Sequence, residues 1–241
     1  PYESNPILMC VNKDLLDKEG IAVPKEGWTL EEFYTICKKL TKDTNGDGQL
    51  DQFGSTEYTW KEALAANGGH LFQGGMLKLT APEVKESLTF LQKLEDLNKN
   101  YKVSSKDFDQ GKVAFYPMTL AQYRTYKPYP YHVSKYSHFT WTCIPMPAKS
   151  KTTKATLVTT TSFAMSARSS HSKLAWELMQ LLTEDPEIQQ TLFAQSQGIS
   201  VMPQVVKSRS SKDLLQVDDF GTDSLTNQTL NRIMEQAVES S

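Results

Sequence analysis

Helix starts and short apolar runs alternate along this chain, and that alternation restricts its fold more than any other feature. Thr29-Leu-Glu-Glu32 has capping-box spacing, and Leu30, Phe33, Ile36, Cys37 and Leu40 recur behind it on one helical face. Thr80-Ala-Pro-Glu83 opens a second helix, with Pro82 in its first turn and Val84, Leu88, Leu91 and Leu94 as its stripe. Asp185-Pro186-Glu187 opens a third, behind a helix that carries Leu174, Leu178 and Leu181. A last helix carries Leu230, Ile233, Met234 and Ala237. Strand-like runs fall at 7–11 (ILMCV), 112–117 (KVAFYP), 139–145 (FTWTCIP) and 156–166 (TLVTTTSFAMS). The alternation predicts an α/β architecture.

The 241 residues suffice for one large domain or two small ones. With 39% hydrophobic and 22% charged residues, a sizeable core is expected. A formal net charge of −2 gives no electrostatic footprint for nucleic acid or an anionic membrane. No apolar run approaches the roughly 20 residues that span a bilayer. The three cysteines, Cys10, Cys37 and Cys143, lie far apart without C-x-x-C spacing and read as buried free thiols, so they do not report the compartment. The chain starts at Pro1, and 5–16 already reads as an interior strand running into a helix, so a piece of a longer protein is expected.

One polar stretch, 43–51 (DTNGDGQLD), has two readings. An EF-hand type loop takes oxygens from positions 1, 3, 5, 7 and 9, with glycine at 6. Those places hold Asp43, Asn45, Asp47, the Gln49 carbonyl and Asp51, with Gly48 as the glycine. Position 12, where a bidentate Glu belongs, is Gly54, so a complete site needs another carboxylate, such as Glu57, or water. The other reading is an Asx-rich turn without metal. No cofactor is required on either reading, and a structural calcium ion is the one candidate.

In a wider window the pieces fall in a specific order. The segment 11–54 joins a strand end, Asn12-Lys13-Asp14, a short helix closing near Gly20, a connector at Pro24, Trp28-Thr29, a capped helix and the acidic loop. It is followed by YTWKEALAANGGHLF (58–72), SLTFLQKLEDL, FDQGKVAFYPM (108–118), IPMP (144–147) and SFAMSARSSHSKLAWELMQLLTEDPEIQQTLF (162–193). This series resembles the family 1 extracellular solute-binding proteins of ABC importers, to which maltose-binding protein belongs, and covers nearly the whole chain.

The resemblance implies a periplasmic-binding-protein-like fold of type II. Residues 1–155 would form the C-terminal lobe, 156–205 a segment returning to a largely missing N-terminal lobe, and 206–241 a C-terminal helical segment. The returning segment would then pack differently, stay exposed or pair with a second chain. The family also implies capture of a sugar or other solute, delivery to a membrane permease, and an extracellular location as a lipoprotein or periplasmic protein. The candidate solute-binding positions are Asn5, Glu57, Tyr58, Trp60, Tyr116, Met118 and Thr119, on strand ends and the loops after them. Asn5 stands where the maltose-binding relative has a ligand-contacting carboxylate. Thr119-Leu120-Ala121 lacks that relative's cleft tryptophan, which puts maltose-type stacking in doubt. With one lobe largely missing, poor sugar affinity is expected of this chain alone.

Signals for catalysis are weak. His70, His132, His138 and His171 are scattered, and neither G-x-S-x-G nor H-E-x-x-H occurs. The chain is therefore not read as an enzyme. The interleaved aromatic and basic residues at 123–136 read as a tyrosine-rich edge of a sugar cleft or a surface loop, and the pair Asp218-Asp219 as part of a solvated polar loop. The alternative function is a calcium-stabilised surface interaction module without a solute cleft. Convergence of Tyr58, Trp60 and Tyr116 on one concave rim favours binding; their dispersal in the core favours the module.

Overall fold

In the computed structural model, residues 1–126, 139–196, 198–208, 211, 225 and 227–239 are described. The 123–136 stretch therefore falls largely outside the described residues, as do His132, His138, Asp218-Asp219 and most of 207–224.

A long first strand organises the molecule. β1 (Glu3–Asn12) pairs antiparallel with four others. Its C-terminal half lies between β5 (Val113–Thr119) and β6 (Trp141–Ile144), so that Met9 faces Pro117 on one side and Ile144 on the other. Its N-terminal half lies between β7 (Thr156–Thr161) and β8 (Ile199–Ser200), so that Glu3 faces Thr161 and Ser200. The change of partners falls at Pro6–Ile7. β2 (Phe53–Ser55) extends the first group in parallel with β5, and β9 (Ala237–Glu239) extends the second in parallel with β7. A short hairpin, β3 (Phe72–Gln73) and β4 (Met76–Leu77), stands apart.

Alternation along β1 sends its side chains to two cores. Met9 and Val11 join Phe33, Tyr58, Phe115 and Leu40. The helices on that side are α1 (Lys13–Lys18), α2 (Leu30–Leu40), α3 (Trp60–Ala66) and α4 (Pro82–Glu95). Leu8 and Cys10 join Met118, Tyr123, Trp141 and Phe193. The second side is built from α5 (Ser105–Asp109), α6 (Leu120–Tyr126), α8 (Pro186–Gln195), α9 (Pro203–Val206) and α10 (Asn227–Glu235). The thirteen-residue helix between β7 and α8 is α7 (Ser172–Glu184). The α/β expectation holds: a mixed sheet lies between helical layers.

Local signals placed most elements. Thr29 caps α2 as expected: its hydroxyl accepts from the Glu32 N–H at 3.2 Å, while the Glu32 carboxylate accepts from the Thr29 N–H at 2.6 Å. Phe33, at the centre of the stripe, meets Trp28 and Phe115 edge-on at 5.5 Å.

Several expectations change with the structure. The strand expected over 156–166 ends at Thr161, leaving Phe163 and Met165 exposed. The last helix stops at Glu235, and Ala237 opens β9 because it pairs with Thr156. On α4 the buried positions are Ser87 and Leu94, whereas Leu88 is exposed. On α7, Leu174, Leu178 and Leu181 form the expected stripe, but it faces solvent and the helix buries no residue.

Candidate functional site

The candidate positions lie in the first half of β1 and where β2 and β5 end and the next helices begin. Asn5, just before the change of partners in β1, accepts from the Ala121 N–H at 3.0 Å. It thereby satisfies one of the orphan donors in the first turn of α6. Thr119 caps the same helix: its backbone N–H and hydroxyl donate to Gln122 Oε1 at 2.8 and 3.1 Å, and its hydroxyl accepts from the Gln122 N–H. The Gln122 amide also approaches the Tyr116 hydroxyl at 3.5 Å. Tyr116 in turn donates to Glu57 Oε2 at 3.0 Å. Burial, and then the Glu57 carboxylate, push the Tyr116 phenol far above its ordinary range. Glu57 follows β2 with a left-handed backbone (φ 52°), is exposed, and also accepts from the Ser105 N–H at 3.3 Å.

The fold thus brings Asn5, Glu57, Tyr116 and Thr119 together around the first turn of α6. Gln122 completes this arrangement. The Thr119-x-x-Gln122 capping spacing was the signal available for it in the sequence.

The other candidates are placed differently. Met118 is fully buried, next to Leu120 and Tyr123 in the second core. Tyr58 is buried against Phe33 at 5.1 Å, and its hydroxyl has no hydrogen-bond partner among the described residues. Their side chains pack the interior, because the alternation of β5 and the turn into α3 aim them there. Trp60, at the start of α3, is 41% exposed. It stands between two clefts. One, of about 560 Å³, lies between α3 and the strands β1, β7 and β9, with Ile7, Thr159 and Val238 opposite. The other, of about 1340 Å³, is bounded by Glu57, Trp60, Asp96 and Tyr101. The three aromatics do not share one rim: Trp60 is half-exposed, whereas Tyr58 and Tyr116 are buried in the two cores. His70 borders the first cleft, and His171 is exposed just before α7.

The acidic loop closes on itself. Asp43 accepts from the N–H groups of Asn45, Gly46 and Gly48 at 3.1, 2.7 and 2.7 Å. Asn45 accepts from the Asp47 N–H, and Asp47 from the Gln49 N–H, both at 2.8 Å. Asp51 accepts from the backbone and hydroxyl of Thr44, both at 2.8 Å. Gly46 and Gly48 both have left-handed backbones (φ 81° and 87°), which aim successive N–H groups at Asp43. Those donors, Gly48 first, hold the Asp43 carboxyl below the usual carboxylate range. Among the described residues, no group of three or more His, Cys, Asp or Glu side chains is arranged to hold a metal ion. Glu57 is engaged with Tyr116 and Ser105 instead of the loop.

Residues 1–217 match the family model described as bacterial extracellular solute-binding protein. No curated protein matches the sequence. The fold is similar to the ABC substrate-binding protein of Listeria monocytogenes solved with cycloalternan, at 18% identity and a TM-score of 0.70, covering 100% of this chain and 60% of that one. It is similar to the maltose/maltodextrin-binding domain of Bdellovibrio bacteriovorus bound to maltotriose, at 20% identity and a TM-score of 0.65, covering 99% and 60%. It is also similar to the UgpB protein of Mycobacterium tuberculosis bound to glycerophosphocholine, at 16% identity and a TM-score of 0.71, covering 100% and 59%. The chain therefore spans about 60% of the length of these structures.

Proposed function

Since this chain belongs to the bacterial extracellular solute-binding protein family, we propose that it captures a sugar or oligosaccharide for delivery to the permease of an ABC importer. The observation that carries the reading is the strand β1, shared between two groups of strands, with half-exposed Trp60 and a polar cluster beside its change of partners. An exposed indole offers a flat apolar face to sugar C–H groups, and fixed polar groups meet hydroxyls. Asn5, Glu57, Thr119 and Gln122 are the polar groups available, with the buried Tyr116 holding Glu57 in place and Trp60 as the platform. Met118 and Tyr58 would support this surface from behind. Capture and release need no covalent chemistry, so the reading requires no catalytic residue.

The exposed stripe of α7 supports a protein with more structure than this chain. In our reading, residues 156–205 return toward a further lobe that covers Leu174, Leu178 and Leu181. Residues 1–155 would form the C-terminal lobe, to whose sheet β7, β8 and β9 add strands, and 206–241 a C-terminal segment. The solute would be held between the lobes, with closure as a hinge motion that ligand favours. An extracellular lipoprotein or periplasmic setting fits this role. The dispersal of Tyr58, Trp60 and Tyr116 is the outcome set for the interaction module, but the family match over residues 1–217 carries the solute-binding reading over it.

Calorimetric titration of the longest form of the protein against mono- and oligosaccharides and a glycerophosphodiester tests the proposal. Saturable sugar binding is expected, weakened roughly threefold to tenfold in Trp60→Ala, as the loss of one aromatic contact implies. Binding of the glycerophosphodiester alone would replace the sugar class. Absence of binding to any of them would overturn solute capture through this site. The 241-residue chain alone should bind weakly; micromolar sugar affinity would contradict the two-lobe reading.

A further inference from the structure

Two of the three thiols meet inside the sheet. Cys10 on β1 and Cys143 on β6 are directly opposed in the antiparallel register, and their Sγ atoms lie 3.4 Å apart. Directly opposed residues in such a ladder have Cα atoms about 4.5 or 5.5 Å apart, and disulfides span about 4.4–6.8 Å. The backbone is therefore already at bonding distance, and closing the sulfurs takes only a small change in side-chain torsion. Both residues are buried, flanked by Tyr116, Tyr123 and Trp141 in the same core. The third thiol, Cys37, lies in the other core, beneath α2.

We propose that Cys10 and Cys143 form a disulfide that ties β6 to β1 in the mature protein. The family is extracellular, a compartment in which such bonds form and persist. The oxidant required is a disulfide-bearing thiol oxidant of that compartment. One protein thiolate attacks a sulfur of the oxidant, forming a mixed disulfide and expelling an oxidant thiolate. The second protein thiolate then attacks the protein-side sulfur and expels the other oxidant thiolate. The two protein thiols lose two protons and two electrons, and the oxidant leaves as thiols. Burial holds the folded Cys10 thiol protonated and out of reach, so the bond must form before the second core closes over it. Once formed, it closes a chain separation of 133 residues, a long loop whose denatured ensemble it restricts.

The test uses the full chain refolded from denaturant in a mixture of reduced and oxidised glutathione. Folding is verified by circular dichroism, and the product is then denatured and alkylated without reductant. The expected product is alkylated only at Cys37, is lighter by two hydrogen atoms before alkylation, and yields a proteolytic peptide joining Cys10 to Cys143. Its melting temperature should exceed that of the dithiothreitol-treated chain. That difference should persist in Cys37→Ala and vanish in Cys143→Val. Alkylation of all three cysteines in the refolded protein, or a bond involving Cys37, would overturn the proposal. Refolding in a defined redox buffer does not depend on the protein's location or solute, so its failure is separable from failure of the transport reading.

Discussion

Gly54→Ala is expected to destabilise the protein through one identified collision. A Cβ at Gly54 would lie 2.4 Å from the Cys37 Cα, 2.5 Å from its Cβ and 2.8 Å from its Sγ. Non-bonded carbons rest about 3.5–4.0 Å apart, so α2 and β2 would have to separate by roughly 1 Å or more. The obstructing atoms include helix backbone, which cannot rotate aside as a side-chain end would. Behind Cys37 stand the buried Phe33 and Leu40, so the displacement spreads into the aromatic core. Overpacking of this kind costs about 1–3 kcal/mol. With a urea slope of about 1–3 kcal/mol per molar, the unfolding midpoint should fall by roughly 1 M. Urea titration followed by circular dichroism gives the measurement. Cys37→Ala in the Gly54→Ala background removes Sγ but leaves Cα and Cβ in place, so it should recover little of the loss. A midpoint unchanged in Gly54→Ala, or full rescue by Cys37→Ala, would refute the proposed backbone approach. The same geometry bears on the acidic loop: at the position where a calcium loop needs a Glu, there is no room even for a methyl group.

Two further outcomes concern charge. The carboxyls of Asp43, held down chiefly by the Gly48 N–H, and of Glu19, held down chiefly by Lys42, both sit below their ordinary values. Their unfolded forms take up protons first as pH falls, so the stabilisation is complete above the ordinary carboxylate range and is lost as pH drops through the folded values. Urea midpoints measured from neutral pH to pH ~3 should therefore fall, and less steeply in Asp43→Asn; equal slopes would show that Asp43 does not contribute. Calcium titration by calorimetry tests the loop: no saturable heat is expected of the metal-free turn, because Gly54 leaves the place of the bidentate Glu without a ligand. Saturable heat abolished by Asp47→Ala would instead establish a calcium site there.

Much of the architecture was legible because it is local. Thr29 and Glu32 announce α2 within four residues, and the spacing of Leu30, Phe33, Cys37 and Leu40 fixes its buried face. The runs at 7–11 and 112–117 found the centres of β1 and β5. The site was legible in part. Asn5, Glu57, Tyr116 and Thr119 are joined by hydrogen bonds, but Tyr58, Tyr116 and Met118 are buried in the cores. A pattern of aromatics near strand ends cannot tell a rim from a core, since both need apolar surface and only the partner element decides which is covered. For α7 the ambiguity runs the other way: its stripe predicts a buried face, and nothing among the described residues buries it.

The sequence by itself determined the α/β class, the main helices and strands and the likeness to solute-binding proteins, because caps, periodicity and turn residues act over a few positions. Tertiary structure alone decided that β1 serves two groups of strands, that Gly54 lies against Cys37, and that Cys10 faces Cys143. Each of those facts joins residues distant in sequence. Strand register and helix docking set them, and both are settled by packing the whole chain against itself.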